Sequence, residues 1–293
     1  MKTLKQPFYW VGSKCRIRRN IYNIFDKIPR LLYVEPFGGS GAVFFGKEPE
    51  QSVYNDCNTL LTNFFKVIRS DYNREILQYL AAVTPCNERY FYEFRALCLK
   101  VLRGETVDDE LVELNLSEYG ITVALAFAFF YVQNNGFGGK CCGNYGYSYA
   151  LRKKGDRFLP LTYQRNADLL EQFANKLSLT QIICCDWRDV LNDYDAATTL
   201  FYIDPPYETK ASESYRAQWS SDDTRALVAR LLVLKASFVL SCYDGDIYAP
   251  LGSICEKQQW KSAASLARYR DGNGARLETV YIKNNAKSGE RLF

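Results

Sequence analysis

The chain has 293 residues, of which 47% are hydrophobic and 24% are charged, and its formal net charge is +4. This balance is typical of a globular protein with one large domain or two modest ones, and the mild positive charge is compatible with a polyanionic partner. Histidine is absent, no C-x-x-C pair occurs and no apolar run is long enough to span a bilayer, so we expect a cytoplasmic protein with neither a metal site nor a membrane partner.

The first third of the chain alternates predicted helices and strands. An amphipathic pattern predicts a basic helix over residues 14–28, with its apolar side chains on one face. Apolar runs at 31–34 and 52–54 predict two short strands. A Gly-rich turn and a short helix over 42–45 follow the first strand, and a helix over 59–69 follows the second.

The middle of the chain is dominated by helical periodicity, which ends in an apolar helix over 121–132. An irregular stretch rich in Gly, Asn and Tyr follows, and its continuation over 151–165 concentrates basic residues. We therefore predict a mainly helical domain over 73–172, inserted between residues 1–72 and 173–293 of an α/β domain.

The last third returns to strands and helices. Strands are predicted over 181–185, 199–203 and 238–241, and a helix over 222–234 is expected to begin at a serine cap, Ser220 or Ser221. Near the C-terminus, a strand over 277–283 is expected to pair with residues 261–269 across a Gly-Asn-Gly turn. The whole pattern predicts an open α/β sheet.

Four acidic residues lie at the ends of predicted strands, namely Glu35, Asp56, Asp186 and Asp204. In open α/β sheets, ligands bind beyond the carboxyl ends of the strands. The turn Phe-Gly-Gly-Ser-Gly over 37–41 allows a ligand to approach the backbone, although it is neither a Walker loop nor a full G-x-G-x-x-G motif. Asp56 is placed to accept hydrogen bonds from a ribose, so a nucleoside-containing cofactor such as S-adenosylmethionine fits this edge of the sheet.

The tetrapeptide Asp204-Pro205-Pro206-Tyr207 is the most informative feature of the sequence and supplies the candidate catalytic residues. The Asp204 carboxylate and the Pro205 carbonyl offer two acceptors for an amine, and Tyr207 offers a flat face for a base. These groups match the exocyclic amine of a planar base. They could also orient such an amine for methyl transfer without a histidine or a metal.

Four segments of the chain resemble the Dam-type adenine-N6 DNA methyltransferases. Residues 8–14, F-Y-W-V-G-S-K, resemble the N-terminal W-x-G-G-K element, with Ser13 in place of its second glycine. Residues 34–44 resemble the E-P-F-x-G-x-G cofactor motif, 53–56 resemble the next element, and 201–207 resemble the catalytic motif. The resemblance implies a Rossmann-like S-adenosylmethionine-dependent methyltransferase sheet with an inserted target-recognition domain. It also implies double-stranded DNA as substrate and a bacterial or phage origin.

The resemblance also assigns roles to individual residues. The residues expected to bind the cofactor are Trp10, Gly12, Lys14, Glu35, Phe37, Gly39, Asp56, Asp186 and Asp204. Among them, Glu35, Phe37 and Gly39 are expected to shape the methionine side of the cofactor. Asp186 is expected to approach its adenine, and Asp204 to serve the target amine as well.

The expected DNA contacts fall in the insert. Asn134, Asn135 and Lys140 are candidates for reading base edges. A basic group is expected to hold phosphates and consists of Arg152, Lys153, Lys154 and Arg157. Family members that read GATC tend to carry an N-R…N-G-x-x-R pattern whose arginines are absent here, so GATC specificity is not implied. The sequence also leaves open a cognate restriction endonuclease as partner.

Two alternatives stay open. The first is the same fold acting on cytosine N4, RNA or a protein amide; Asp204 argues for adenine, because related enzymes for the other amines favour Ser or Asn before Pro-Pro-Tyr. The second is a catalytically inactive DNA-binding protein, against which the intact tetrapeptide and cofactor turn argue.

Overall fold

The computed structural model describes residues 4–10, 12–136, 146–147, 162–206, 219–263 and 275–285. Its strands are β1 (Leu32–Glu35), β2 (Ser52–Asn55), β3 (Thr180–Ile183), β4 (Thr199–Ile203), β5 (Ser237–Cys242), β6 (Glu256–Ala263) and β7 (Ala275–Lys283). Its α-helices are α1 (Arg18–Phe25), α2 (Thr59–Arg69), α3 (Asp71–Val83), α4 (Glu88–Leu102), α5 (Asp108–Glu113), α6 (Ile121–Asn135), α7 (Thr162–Asp168), α8 (Leu170–Lys176), α9 (Trp187–Asp193) and α10 (Ser221–Leu232).

The strands form one sheet in the order β3-β2-β1-β4-β5-β7-β6. The five strands from β3 to β5 are parallel, whereas β7 runs antiparallel to both β5 and β6. The predicted α/β class is therefore confirmed. The chain order reverses between β1 and β4, and ligands of such sheets bind in the crevice at the carboxyl ends of the strands beside that point.

The side chains of the central strands alternate between two apolar cores. Tyr33, Tyr54 and Tyr202 join the core that also contains α1 and α2, while Val34 and Phe201 join the core beneath α9 and α10. This alternation follows from the two-residue period of a strand, and it explains why β2 and β4 are buried on both faces.

The helices of the predicted insert share the first of these cores. Helix α6 is buried on nearly all sides and packs against α2, α3 and α4. The apolar core is therefore continuous from the sheet into the helical region, and the domain boundaries at 73–172 stay a prediction. Among the residues that the structure describes, no helix combines the length and apolarity that a bilayer crossing requires.

Most predicted elements are confirmed with small shifts. Helix α2 has the predicted bounds, and Ser220 caps α10 through a reciprocal pair of hydrogen bonds with Asp223. Helix α1 is shorter than predicted, since its N-cap, Ile17, has no side chain that could accept from the first turn. The expected helix over 42–45 is a single 3₁₀ turn at Phe44–Gly46. Strand β6 pairs with β7 as predicted but begins five residues earlier, at Glu256 rather than 261.

Candidate active site

The four acidic residues lie at the carboxyl ends of four adjacent parallel strands. Glu35 ends β1, Asp56 follows β2, Asp186 follows β3 and Asp204 follows β4. Parallel neighbours end at the same edge of a sheet, so the acids share one edge. Glu35 and Asp204 flank the point at which the strand order reverses, and this edge is the candidate active site.

The Gly-rich turn after β1 is joined to the end of β2 by hydrogen bonds. The Gly38 amide donates to the Asn55 carbonyl at 2.7 Å, and the Gly39 amide donates to Asp56 Oδ2 at 2.9 Å. The Asn58 amide donates to Asp56 Oδ1, also at 2.9 Å. Burial raises the pKa of the Asp56 carboxyl, and these two amides oppose the rise by stabilising its charge.

Glycine is required in this turn for two physical reasons. A Cβ atom on Gly38 would lie 2.2 Å from Cε2 of the buried Tyr54 ring, so a larger residue would force the ring or the turn to shift. Gly39 has a φ of +53°, in the left-handed region that side chains disfavour. The Tyr54 hydroxyl donates to the Gly39 carbonyl and thereby fixes the turn against β2.

The N-terminal segment packs beside the turn. A Cβ atom on Gly39 would lie 3.1 Å from Trp10 Nε1, so the Trp10 indole borders the turn closely. The side-chain oxygen of Gln6 accepts from the hydroxyls of Ser13 and, at 2.9 Å, of the buried Ser40. The Gln6 side chain therefore connects the N-terminal segment with the Gly-rich turn.

Lys14 and Asp204 form an ion pair across the site. Lys14 Nζ donates to Asp204 Oδ1 at 2.8 Å and to the Gly12 carbonyl at 3.2 Å. The two side chains are only 5% and 19% exposed, respectively. A charge that is buried to this degree needs its counter-charge, so each side chain holds the other in place. Pro205, directly after Asp204, is buried, and Pro206 is half-buried.

Glu35 is buried beneath the edge and accepts from the Tyr33 hydroxyl at 2.5 Å. Burial raises the pKa of the Glu35 carboxyl to about 8, although the Tyr33 hydrogen bond and the Lys47 charge act in the opposite direction. The negative charge of Asp204 adds to the rise. The protonated form of Glu35 is therefore favoured to a higher pH than that of an ordinary surface glutamate.

An aromatic cluster continues the edge towards β3. The Phe37 ring lies 6.0 Å from Trp187 and 5.5 Å from Trp219, between ring centroids. Asp186 caps α9 and is about half exposed, and Arg188 connects it to Asp223 at the start of α10. Asp186 thus lies at the rim of the site, whereas Phe37 forms part of its wall.

The predicted base-reading asparagines are engaged within α6 and its neighbour. Asn134 Nδ2 donates to the Phe130 carbonyl and its Oδ1 accepts from Asn166, while Asn135 Nδ2 donates to the Tyr131 carbonyl. These bonds hold both side chains beside α6, and the DNA role of both residues stays a prediction. Six predicted site residues lie outside the described residues, namely Lys140, Arg152, Lys153, Lys154, Arg157 and Tyr207.

The structure also brings three residues to the site that the sequence reasoning did not select. Gln6 and Tyr54 hold the Gly-rich turn, and Asn55 joins the loops after β1 and β3. Gln6 and Tyr54 carry no local signal for this role, because their partners are distant in the chain. Asn55 precedes Asp56 within a motif, and that position is the one signal in the sequence that singles it out.

Comparisons with known proteins identify the family. Residues 10–246 match the model of the D12 class N6 adenine-specific DNA methyltransferase family. The chain belongs to this family.

The matched segment begins at Trp10 and includes the Gly-rich turn, Asp56 and Asp204, so one family pattern spans all four acidic residues of the candidate site. Family membership confirms the predicted enzyme class, an adenine-specific DNA methyltransferase, and does not favour the alternative substrates or an inactive DNA-binding protein.

Individual relatives are distant in sequence. The chain is 26% identical to a DNA adenine methylase of Haemophilus influenzae over 221 residues, which cover 73% of this chain and 68% of the relative. It is 25% identical to the type II methyltransferase M.MjaIII of Methanocaldococcus jannaschii over 77% of this chain and 78% of the relative. It is 23% identical to a DNA N-6-adenine-methyltransferase of Escherichia phage P1, over 74% of this chain and 26% of the relative.

Metal ligands are not grouped in the part of the chain that the structure describes. Within those ranges, no set of three or more Cys, Asp or Glu residues is arranged to hold an ion. That the enzyme works without a metal stays a prediction.

Proposed function

We propose that this methyltransferase transfers the methyl group of S-adenosylmethionine to N6 of an adenine that is flipped out of duplex DNA. The position of Asp204 carries the proposal. Its carboxylate lies at the carboxyl end of β4, beside the point where the strand order reverses, and is held by the buried ammonium of Lys14. A fixed, ionised acceptor at this point is suited to orient an amine.

The cofactor is assigned to the edge formed by the turn after β1 and the end of β2. The half-buried Asp56 carboxylate has further lone pairs beyond those used by Gly39 and Asn58, and these can accept from ribose hydroxyls. The Trp10 indole borders the Gly39 backbone and offers an apolar wall. These residues fit a nucleoside-containing cofactor, and S-adenosylmethionine supplies an electrophilic methyl group when bound there.

The target amine is assigned to Asp204 and the Pro205 carbonyl. An adenine amine is a weak nucleophile, because its lone pair is delocalised into the ring. Two hydrogen bonds from the amine to fixed acceptors favour a more pyramidal nitrogen and stabilise the positive charge that develops on it. Asp204 then holds and polarises the amine, and the rate gain comes from alignment with the methyl donor. Tyr207 is assigned to stack on the flipped base.

DNA contacts are assigned to the middle of the chain. The basic residues Arg152, Lys153, Lys154 and Arg157 are proposed to neutralise phosphates, and Asn134, Asn135 and Lys140 to contact base edges. A DNA substrate also favours the cytoplasm of a bacterium or of a phage-infected cell as the place of action. Adenine methylation is also compatible with a cognate restriction endonuclease as a partner.

A product assay tests the proposal. Duplex DNA is incubated with the enzyme and methyl-labelled S-adenosylmethionine, digested to nucleosides and separated by chromatography. We expect N6-methyladenine as the labelled product; N4-methylcytosine alone, or DNA binding without any binding of S-adenosylmethionine in calorimetry, would overturn the proposal. The Asp204→Asn variant should form no labelled N6-methyladenine. Asp195→Asn, which alters a carboxylate that accepts from the amides just before β5, should retain it.

A further inference from the structure

Asn55 forms a network of hydrogen bonds between three loops of the candidate site. Its Nδ2 group donates to the Pro36 carbonyl at 2.8 Å and to the Cys185 carbonyl at 3.1 Å. Its Oδ1 atom accepts from the Cys185 amide at 2.9 Å. Asn55 is 1% exposed, whereas its partner Cys185 is an exposed residue. Both hydrogens and the oxygen of the amide are therefore used.

The three connected loops each carry a residue assigned to the cofactor. Pro36 precedes Phe37 in the loop after β1, Asn55 itself precedes Asp56, and Cys185 precedes Asp186. The regular ladder between β2 and β3 ends at the pair Asn55 and Ile183. Beyond that pair, the side-chain amide of Asn55 takes the place of a strand partner for the backbone of Cys185. It thereby fixes the distance between the loops after β1 and β3.

An amide is the chemical group that satisfies this position. Three backbone groups, the Pro36 carbonyl and the carbonyl and amide of Cys185, are paired here, and an asparagine side chain supplies the two donor hydrogens and the one acceptor that they require. Aspartate has the same shape but would place an oxygen against the two carbonyl oxygens. Leucine has a similar volume but would remove the side-chain partner of all three backbone groups, including the buried Pro36 carbonyl.

We propose that Asn55 is a positioning residue that sets the geometry of the cofactor subsite by clamping the loops after β1 and β3. The inference rests on the proposed function, because it assigns these loops to S-adenosylmethionine. The clamp joins β1, β2 and β3 but makes no bond to β4, which carries Asp204. Loss of the clamp should therefore weaken cofactor binding more than it slows methyl transfer at saturating cofactor.

The first test is the variant Asn55→Asp. At pH about 8 the new carboxylate is ionised and faces two carbonyls, and we expect S-adenosylmethionine to bind at least about tenfold more weakly than to the wild type in calorimetry. At saturating cofactor, the kcat should stay within about threefold of the wild type, because only binding interactions common to ground and transition state are lost. A kcat that falls as much as the affinity would overturn the assignment of Asn55 to the cofactor side.

Acid pH should restore the affinity of the Asn55→Asp variant for S-adenosylmethionine. A residue with a merely structural role would not give this pH dependence. A buried carboxyl has a raised pKa, and once protonated it can donate to one of the two carbonyls. Between pH about 8 and about 5.5, the affinity of Asn55→Asp relative to the wild type should therefore recover, whereas that of Asn55→Leu should not. Equal pH profiles for the two variants would contradict the clamp.

A matched control is available at the opposite end of the sheet. Asn285 Nδ2 donates to two backbone carbonyls, Lys235 at 2.9 Å and Ala236 at 3.2 Å. Asn285→Asp therefore also places a carboxylate against two carbonyls, at an exposed position away from the candidate site. Its affinity for S-adenosylmethionine should equal that of the wild type.

A second measurement separates the clamp from the proposed function. Amide hydrogen exchange of the cofactor-free protein at pH about 8 should accelerate in Asn55→Asp over residues 36–41 and 184–188, but not in Asn285→Asp. Unchanged exchange in both loops would overturn the clamp even if the enzyme binds its cofactor. Failure of the wild type to bind S-adenosylmethionine, with accelerated exchange in the variant, would instead overturn the proposed function and leave the clamp supported.

Discussion

The buried carboxyl of Glu35 makes a pH-dependent contribution to stability that a single substitution can isolate. Burial raises its pKa from an ordinary value of 4.5 to about 8, against the opposing effects of the Tyr33 hydroxyl and Lys47. Glu35→Gln keeps the size of the side chain and an oxygen that can accept from Tyr33. The glutamine side chain carries no charge at any pH. The variant therefore differs from the wild type mainly by lacking the free-energy cost of ionising a buried carboxyl at position 35.

The sign of the effect follows from the direction of the shift. A carboxyl whose pKa is higher in the folded state than in the unfolded state binds its proton more tightly when the protein is folded. Its contribution to the free energy of unfolding is therefore complete below the pKa of the unfolded state, and it is lost as the pH rises towards the pKa of the folded state. The loss between pH 5 and pH 8 is on the order of 3 kcal/mol, since each pKa unit corresponds to about 1.4 kcal/mol. Glu35→Gln should therefore gain stability relative to the wild type by about this amount over the same interval.

Urea unfolding monitored by tryptophan fluorescence measures this difference. Both proteins are unfolded at pH about 5, 6.5 and 8, under reducing conditions because the chain has ten cysteines, and the free energies of unfolding are compared at each pH. Groups that titrate equally in both proteins contribute equally to the two free energies of unfolding, so their contributions cancel in the difference. A difference that stays constant across the three pH values, or that favours the wild type at high pH, would refute the assignment of a raised pKa to Glu35.

Three further predictions concern other parts of the molecule. Asp204→Ala should lower methyl transfer to DNA by at least about 100-fold in a labelled-methyl assay, and retained activity would refute its role. Gly38→Ala should lower the free energy of unfolding by about 1–3 kcal/mol, because the new methyl group overlaps the Tyr54 ring; an unchanged melting temperature would show that the ring can move aside. Neutralising the basic residues 152–154 should weaken DNA binding and flatten its dependence on salt, and an unchanged salt slope would place the phosphate contacts elsewhere.

The predicted strands and helices agree with the structure because their signals are local. Helix α2 has an asparagine cap and an apolar face, and β4 is an apolar run that ends at a proline pair, so neighbouring residues suffice to predict both. Where a boundary differs, the local signal was weaker. Helix α1 lacks a capping side chain, and residues 42–45 have space for a single turn between Gly41 and Gly46.

The sequence by itself determined the class of fold and the order of the motifs, and it predicted the chemistry of Asp204-Pro205-Pro206, because each of these depends on signals from residues that are close in the chain. Tertiary structure alone decided the pairing of Lys14 with Asp204, which are 190 residues apart, and the connection that Asn55 makes with Cys185, 130 residues away. It also decided the raised pKa of Glu35, since desolvation depends on the elements that cover a group rather than on its neighbours in sequence.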